Sequence, residues 1–197
     1  MSITFALSQF KQGNPIVVFD HESRENEGDI ILPAQFATPE KINWITIYAR
    51  GLICVAMTQS RADQLDLSLM PRRGIKDLSC MFLQSVEAAK GVTTGISAYD
   101  RAKTIQWLAD DSKKSIDFTT PGHVFPCLSS QGGLTERKGH TEAGVALCQL
   151  TGLNKVAVIC EIMHEDGRMK NYDQLLTFAK KFDLAMISIN DILDYNL

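Results

Sequence analysis

Two stretches and two isolated side chains carry chemistry that a packed core does not need. Residues 132–142, Gly-Gly-Leu-Thr-Glu-Arg-Lys-Gly-His-Thr-Glu, run from a glycine pair through two cations into a helix start. Free backbone N–H groups and the positive end of a helix beginning at Thr141 can hold a phosphate. Arg137 and Lys138 add full charge beside it, and Gly139 lets the backbone approach closely. His140 brings a potential metal ligand to within one residue of that anion site. Residues 20–29, Asp-His-Glu-Ser-Arg-Glu-Asn-Glu-Gly-Asp, set five carboxylates directly after an apolar run. In an extended chain Glu25, Glu27 and Asp29 would point the same way, and only Arg24 offsets them. Like charges on one face are costly without a cation or a hydroxylated ligand, and hard carboxylate oxygens suit magnesium. A solvated acidic turn is the plain alternative.

The isolated residues are His123 and Glu161. His123 sits between Pro121-Gly122 and Val124-Phe125-Pro126, a rigid loop leading into a strand that would hold the ring in one direction. Glu161 interrupts the apolar run from Val156 to Met163, where a carboxylate needs a partner and burial would suit it to proton transfer. Taken singly, each also reads as an ordinary structural residue.

These side chains need a frame, and the apolar pattern supplies one. Residues 15–19, 52–58, 156–163 and 185–189 are short apolar runs without polar alternation, as expected of strands covered on both faces. Helices fall between them: one is capped by Thr38, starts at Pro39 and stops before Gly51. Another begins at Thr141 and stops before Gly152, and two more span about 100–111 and about 172–182. Segments 68–79 and 112–121 read as loops and candidate lids. Strands and helices alternate, so the expected class is α/β. The 197 residues with 45% apolar content fit one domain.

A net charge of −3 gives no general reason to bind nucleic acid or an acidic membrane, so any anion site must be local. Five cysteines without a Cys-x-x-Cys pair imply neither a disulfide framework nor a structural zinc, and a reducing cytoplasm fits best. No apolar run approaches a bilayer span and the start lacks a signal-peptide pattern, so a soluble, unprocessed protein is expected.

Together, Arg24–Asp29 (Arg-Glu-Asn-Glu-Gly-Asp), 91–102 (Gly-Val-Thr-Thr-Gly-Ile-Ser-Ala-Tyr-Asp-Arg-Ala), 121–126 (Pro-Gly-His-Val-Phe-Pro), 137–143 (Arg-Lys-Gly-His-Thr-Glu-Ala) and 159–163 (Ile-Cys-Glu-Ile-Met) carry a resemblance over nearly the whole chain. The sequence resembles the 3,4-dihydroxy-2-butanone 4-phosphate synthase family. That resemblance implies a three-layer sandwich with a mixed, mostly parallel sheet, and a homodimer. It implies conversion of D-ribulose 5-phosphate to L-3,4-dihydroxy-2-butanone 4-phosphate and formate for riboflavin biosynthesis, with magnesium, or manganese as a substitute. Glu25 and His140 match the metal ligands. Arg24, Glu25, Asp29, Arg137, Lys138, Gly139, His140, Thr141 and Glu161 match substrate contacts, and His123 and Glu161 match the catalytic positions.

The family chemistry begins with loss of the C3 proton, to His123 or Glu161, and proceeds through loss of water, a skeletal migration and expulsion of C4 as formate. The segment Thr93 to Arg101 is expected near the substrate, and Cys54 near the site without being a nucleophile. Relatives often carry a fused GTP cyclohydrolase II domain; this chain ends at Leu197 without one, so a single-function enzyme is expected. Departures fall at Ser68-Leu69, where two prolines are usual, at Thr120, where arginine is usual, and at His21 and Ser23, where acids are commoner. Two other readings remain: another metal-dependent sugar-phosphate lyase or isomerase, and a non-catalytic nucleotide- or nucleic-acid-binding protein of related fold.

Overall fold

The computed structural model describes residues 2–20, 24–71, 73–74 and 80–195. The helices are α1 (Ile3–Lys11), α2 (Pro39–Tyr48), α3 (Gln59–Gln64), α4 (Ala98–Leu108), α5 (His140–Thr151), α6 (Tyr172–Lys181) and α7 (Ile189–Tyr195). The strands are β1 (Ile16–Phe19), β2 (Gly28–Pro33), β3 (Cys54–Met57), β4 (Met81–Phe82), β5 (Val86–Ala88), β6 (Phe118–Leu128), β7 (Val156–Glu161) and β8 (Met186–Ser188). They form one sheet in the order β4-β6-β3-β7-β2-β1-β8, with β5 added to β6.

Local signals set the helix ends. The Thr38 hydroxyl accepts from Lys41 N–H ahead of Pro39, and Asn171 and Gln174 exchange bonds in a capping box at the start of α6. Ser97 caps α4, which therefore opens at Ala98, two residues before the expected start. α5 ends on Gly152, whose φ of 71° is the left-handed conformation that lets its N–H reach the carbonyls of the last turn.

Each face of the sheet carries its own core. Val17, Ile30, Leu32, Val55, Met57 and Val158 pack against α2, α4 and α6, while Ile16, Val18, Ile31, Ala56, Ala157 and Ile159 pack against α1, α5 and α7. The layers are thus helix, sheet, helix, as the resemblance implies. The strand directions differ from that expectation. Only β1–β8 and β3–β6 are parallel, and the other five pairings are antiparallel. The sheet is mixed but mostly antiparallel, because β2 and β7 run against their neighbours in its middle. Strands buried under helices on both faces read as unbroken apolar runs whatever their direction.

The two expected loops are also partly ordered into the sheet. Residues 118–121 already belong to β6. Ser68–Met70 is strapped to β4 and its neighbours by Gln84 N–H to Ser68 O, Met70 N–H to Phe82 O and a bridge between Leu69 and Leu83. Residues 72 and 75–79 of the first expected lid, and the departures His21 and Ser23, lie outside the described residues. No helix among the described residues is long and apolar enough to cross a membrane.

Candidate active site

One end of the sheet collects most of the singled-out residues. Register explains how: Asp29 of β2 pairs with Glu161 of β7 on one side and with Val18 of β1 on the other. Asp20 follows directly at the end of β1. Since Val18, Ile31 and Ile159 face α5, alternation sends Asp29 and Glu161 to that same face. There α5 begins with His140, whose Nδ1 is 3.6 Å from Asp29 Oδ1.

Asp20, Glu25 and His140 offer donor atoms that all lie within 4.8 Å of one another. Asp20 is the residue that sequence reasoning missed. Its carboxylate accepts from the backbone N–H of Glu25 (3.2 Å) and Glu27 (2.9 Å), and so folds the acidic segment into a turn. Asn26 at φ 56° completes that turn. Glu25, Glu27 and Asp29 therefore do not share one extended face, contrary to the simple alternation argument; regular strand begins only at Gly28. Arg24 spans the group, with Nη1 at 2.8 Å from Asp20 and 2.6 Å from Glu25.

Electrostatics follow from burial. Burial pushes the His140 imidazole down to about 4, against the pull of Asp20, so the ring is neutral at physiological pH. It hydrogen-bonds the Val18 carbonyl, and its buried Nε2 has no hydrogen-bond partner among the described residues. Burial, and then Glu161, Glu27, Glu25 and Asp20, raise the Asp29 carboxyl well above the usual range. Asp29 Oδ1 is likewise buried without a hydrogen-bond partner among the described residues. A neutral imidazole with a bare nitrogen beside two carboxylates is a donor set that fits a hard divalent cation.

The helix starts one residue before the expected Thr141. Gly139 is the N-cap, α5 opens at His140, and Thr141 is buried in the first turn with its hydroxyl 3.9 Å from Cys80 Sγ. Arg137 Nη1 lies 2.6 Å from Glu142 Oε2, whose side chain is fully buried and whose other oxygen accepts from Ser130 N–H. A side chain at Gly139 would press on this pair, its Cβ 2.7 Å from Glu142 Oε2. Lys138 joins Arg24, Asp20 and Phe19 on a cavity of about 250 Å³ closed by Ser188, Ile189 and Asn190.

Glu161 and His123 flank the same end of β3. Cys54 pairs with Ile159 and with Phe125; Glu161 lies two residues beyond the first and His123 two residues before the second. Buried Cys54 is therefore one step inward from both. Glu161 Oε2 accepts from Leu52 N–H at 2.9 Å. The His123 imidazole bonds Glu87 through Nδ1. Glu87 is a second partner that the sequence did not announce, because it comes from a strand 36 residues earlier.

This geometry defines the class: an α/β protein whose sheet end carries a cation-type donor set flanked by arginine and lysine, with a carboxylate and an imidazole close by. Comparison with known proteins is specific. The chain matches the family described as 3,4-dihydroxy-2-butanone 4-phosphate synthase over residues 4–195. It is 43% identical to the 3,4-dihydroxy-2-butanone 4-phosphate synthase of Haemophilus influenzae, covering 98% of this chain and 89% of that protein. It is 48% identical to riboflavin biosynthesis protein RibBA of Synechocystis, covering all of this chain and 36% of that protein. The chain spans about half the length or less of several such curated relatives. A crystal structure of 3,4-dihydroxy-2-butanone 4-phosphate synthase in complex with two magnesium ions superposes with a TM-score of 0.93 at 37% identity, covering 99% of this chain and 96% of that one. The chain belongs to the 3,4-dihydroxy-2-butanone 4-phosphate synthase family.

Proposed function

We propose that the protein converts D-ribulose 5-phosphate into L-3,4-dihydroxy-2-butanone 4-phosphate and formate, the four-carbon step of riboflavin biosynthesis. The observation that carries this reading is the convergence of Asp20, Glu25 and His140, whose Nε2 has no hydrogen-bond partner among the described residues, beside the paired Asp29 and Glu161. Glu25 and His140, with Asp20 next to them, would hold magnesium, and manganese would substitute for it. When bound, the cation would supply positive charge for the negative charge that develops on the sugar oxygens.

The chain's own groups do the rest. Glu161 and His123 are the acid/base pair, and the first proton leaves C3 of the sugar to one of them. The Leu52 N–H bond aims the Glu161 carboxylate and the Glu87 bond aims the imidazole. Arg137, Lys138, Thr141 and the first-turn amides after Gly139 grip the phosphate, while Arg24 and Asp29 contact the sugar hydroxyls. The positive end of α5 favours an anion there, and Glu142 keeps Arg137 directed at it.

The working form is a homodimer, a reading that rests on the family, and a cytoplasmic location fits five free thiols. Light scattering should give the dimer mass; a fully active monomer would contradict it. The reaction is tested by incubating purified protein with ribulose 5-phosphate and magnesium and following carbon by NMR. Formate and the four-carbon phosphate should appear in equal amounts and stop on chelation. Consumption of the sugar without formate would overturn the assignment.

A further inference from the structure

We infer that Glu87 is a positioning residue for His123, fixing the tautomer that leaves its outer nitrogen free to act on substrate. The inference rests on the reading above for the chemistry but on local geometry for the pairing. β5 and β6 are antiparallel, yet their register jumps: Val86 pairs with Val124 while Glu87 pairs with Thr119. Residues 120–123 of β6 therefore arch out opposite the single Val86–Glu87 junction. Such bulges re-aim a side chain that regular pleating would point elsewhere. Gly122 N–H donates to Ser85 Oγ at 3.1 Å, holding the arch against β5. His123 then meets the Glu87 carboxylate side chain to side chain, with Glu87 only 17% exposed and His123 48% exposed. One end of the imidazole is anchored inside, and the other is open to solvent.

A third element closes over the pair. Gly95, at φ +87°, lies so near that a Cβ there would overlap the Glu87 carboxylate and come within 2.7 Å of His123 Nδ1. Its position is set by buried Asp100, which accepts from Gly95 N–H (3.0 Å), Thr93 N–H (3.1 Å) and the Thr93 hydroxyl (2.8 Å). The segment from Thr93 to Asp100 thus serves as a brace for the carboxylate–imidazole pair. The consequence is chemical: an ionised carboxylate can only accept, so the neutral imidazole must carry its hydrogen on Nδ1. That leaves a bare lone pair on Nε2, the state required of a general base, and a positioned hydrogen once protonated.

The isosteric Glu87→Gln tests this without changing packing, because an amide can donate as well as accept and no longer dictates the tautomer. Long-range ¹H–¹⁵N NMR of His123, assigned through His123→Ala, should show the Nδ1–H form in the parent protein and a large Nε2–H population in Glu87→Gln. Turnover should fall about 10- to 100-fold with KM within about threefold. In the His123→Ala background the same change should alter kcat less than about twofold, since Glu87 would have nothing left to orient. An unchanged tautomer in Glu87→Gln, or a full further loss when it is added to His123→Ala, would overturn the inference. The NMR readout needs no substrate, so it decides the role of Glu87 even where a missing formate signal refutes the reaction.

Discussion

Replacing Gly51 with alanine should damage Glu161 directly. A Cβ at Gly51 would sit 2.6 Å from Glu161 Oε2 and 2.8 Å from Glu161 N. The first distance is roughly 0.8 Å inside the 3.4 Å at which ordinary contact begins. The carboxylate can rotate away, but only by giving up its bond from Leu52 N–H. The Glu161 backbone, whose carbonyl oxygen lies nearer still, cannot move without disturbing its pairing with Asp29 of β2. Overpacking of this kind costs about 1–3 kcal/mol, and a reacting group moved by about 1 Å costs on the order of 10²-fold in rate. Urea unfolding and formate release measure the two effects separately. Gly167→Ala is the comparison: no atom lies within 4 Å of its Cβ, and φ of +86° makes it destabilising by backbone strain alone. Gly51→Ala should lose about 100-fold in kcat well below its unfolding transition, whereas Gly167→Ala should lose stability and keep kcat. Parent-like turnover in Gly51→Ala would refute the assignment of Glu161 to the chemistry.

Glu25→Gln should reduce turnover by at least about 10²-fold and weaken magnesium binding in calorimetry, after adventitious metal is stripped and magnesium restored; full activity would remove Glu25 from the metal site. Cys54→Ser should keep kcat within about threefold, because the proposed steps need no thiolate; complete loss in a folded protein would give the thiol a chemical role. Asp29→Asn should abolish most activity and yet stabilise the magnesium-free protein at neutral pH. A carboxyl whose folded pKa is raised above 3.8 contributes stability that is lost as pH rises through the raised value, so the variant should gain on the parent with increasing pH in thermal unfolding; no gain would show that Asp29 is not under strain.

The sequence displayed the frame of this site better than its contacts. The cores of β1, β3, β7 and β8 were visible because helices cover both faces, which removes polar alternation. The start of α2 is legible because Thr38 is a capping residue set directly before Pro39. α1 escaped notice although Ser2 caps it and Gly13 follows it, since its short amphipathic face resembles many exposed segments. The first part of β6 has the sequence of a loop because Pro121 and Gly122 are poor strand residues; the bulge they occupy is what makes them suitable. Asp20 could not be told from its acidic neighbours by type. Only the chain reversal through Asn26 makes it the inner carboxylate that organises the turn. Glu87 needed the β5–β6 pairing, which no local pattern reveals.

The site's charge arrangement supports the proposed cation site on energetic grounds. Asp20, Glu25, Glu27, Asp29 and Glu161 all enter the electrostatic environment of one sheet end, and Asp29 feels the other four. Burial, with Glu25, Glu161 and Asp20 behind it, raises Glu27 as well. Arg24 is engaged by Asp20 and Glu25, yet both raised carboxyls persist beside it. A fold selected only for stability would replace such a group with apolar or amide side chains, since buried like charges cost more than they return. His140 adds to the argument from the opposite direction. Among so many carboxylates an exposed imidazole would be drawn toward protonation, but burial keeps this one neutral, with Nε2 lacking a hydrogen-bond partner among the described residues. Neutrality there keeps the helix start from neutralising the acids with a fixed proton, and a divalent cation, as proposed, would fill that electrostatic deficit. On the proposed reading, stability given up at the sheet end and affinity for the cation would be one free energy, expressed in the metal-free protein and recovered on binding.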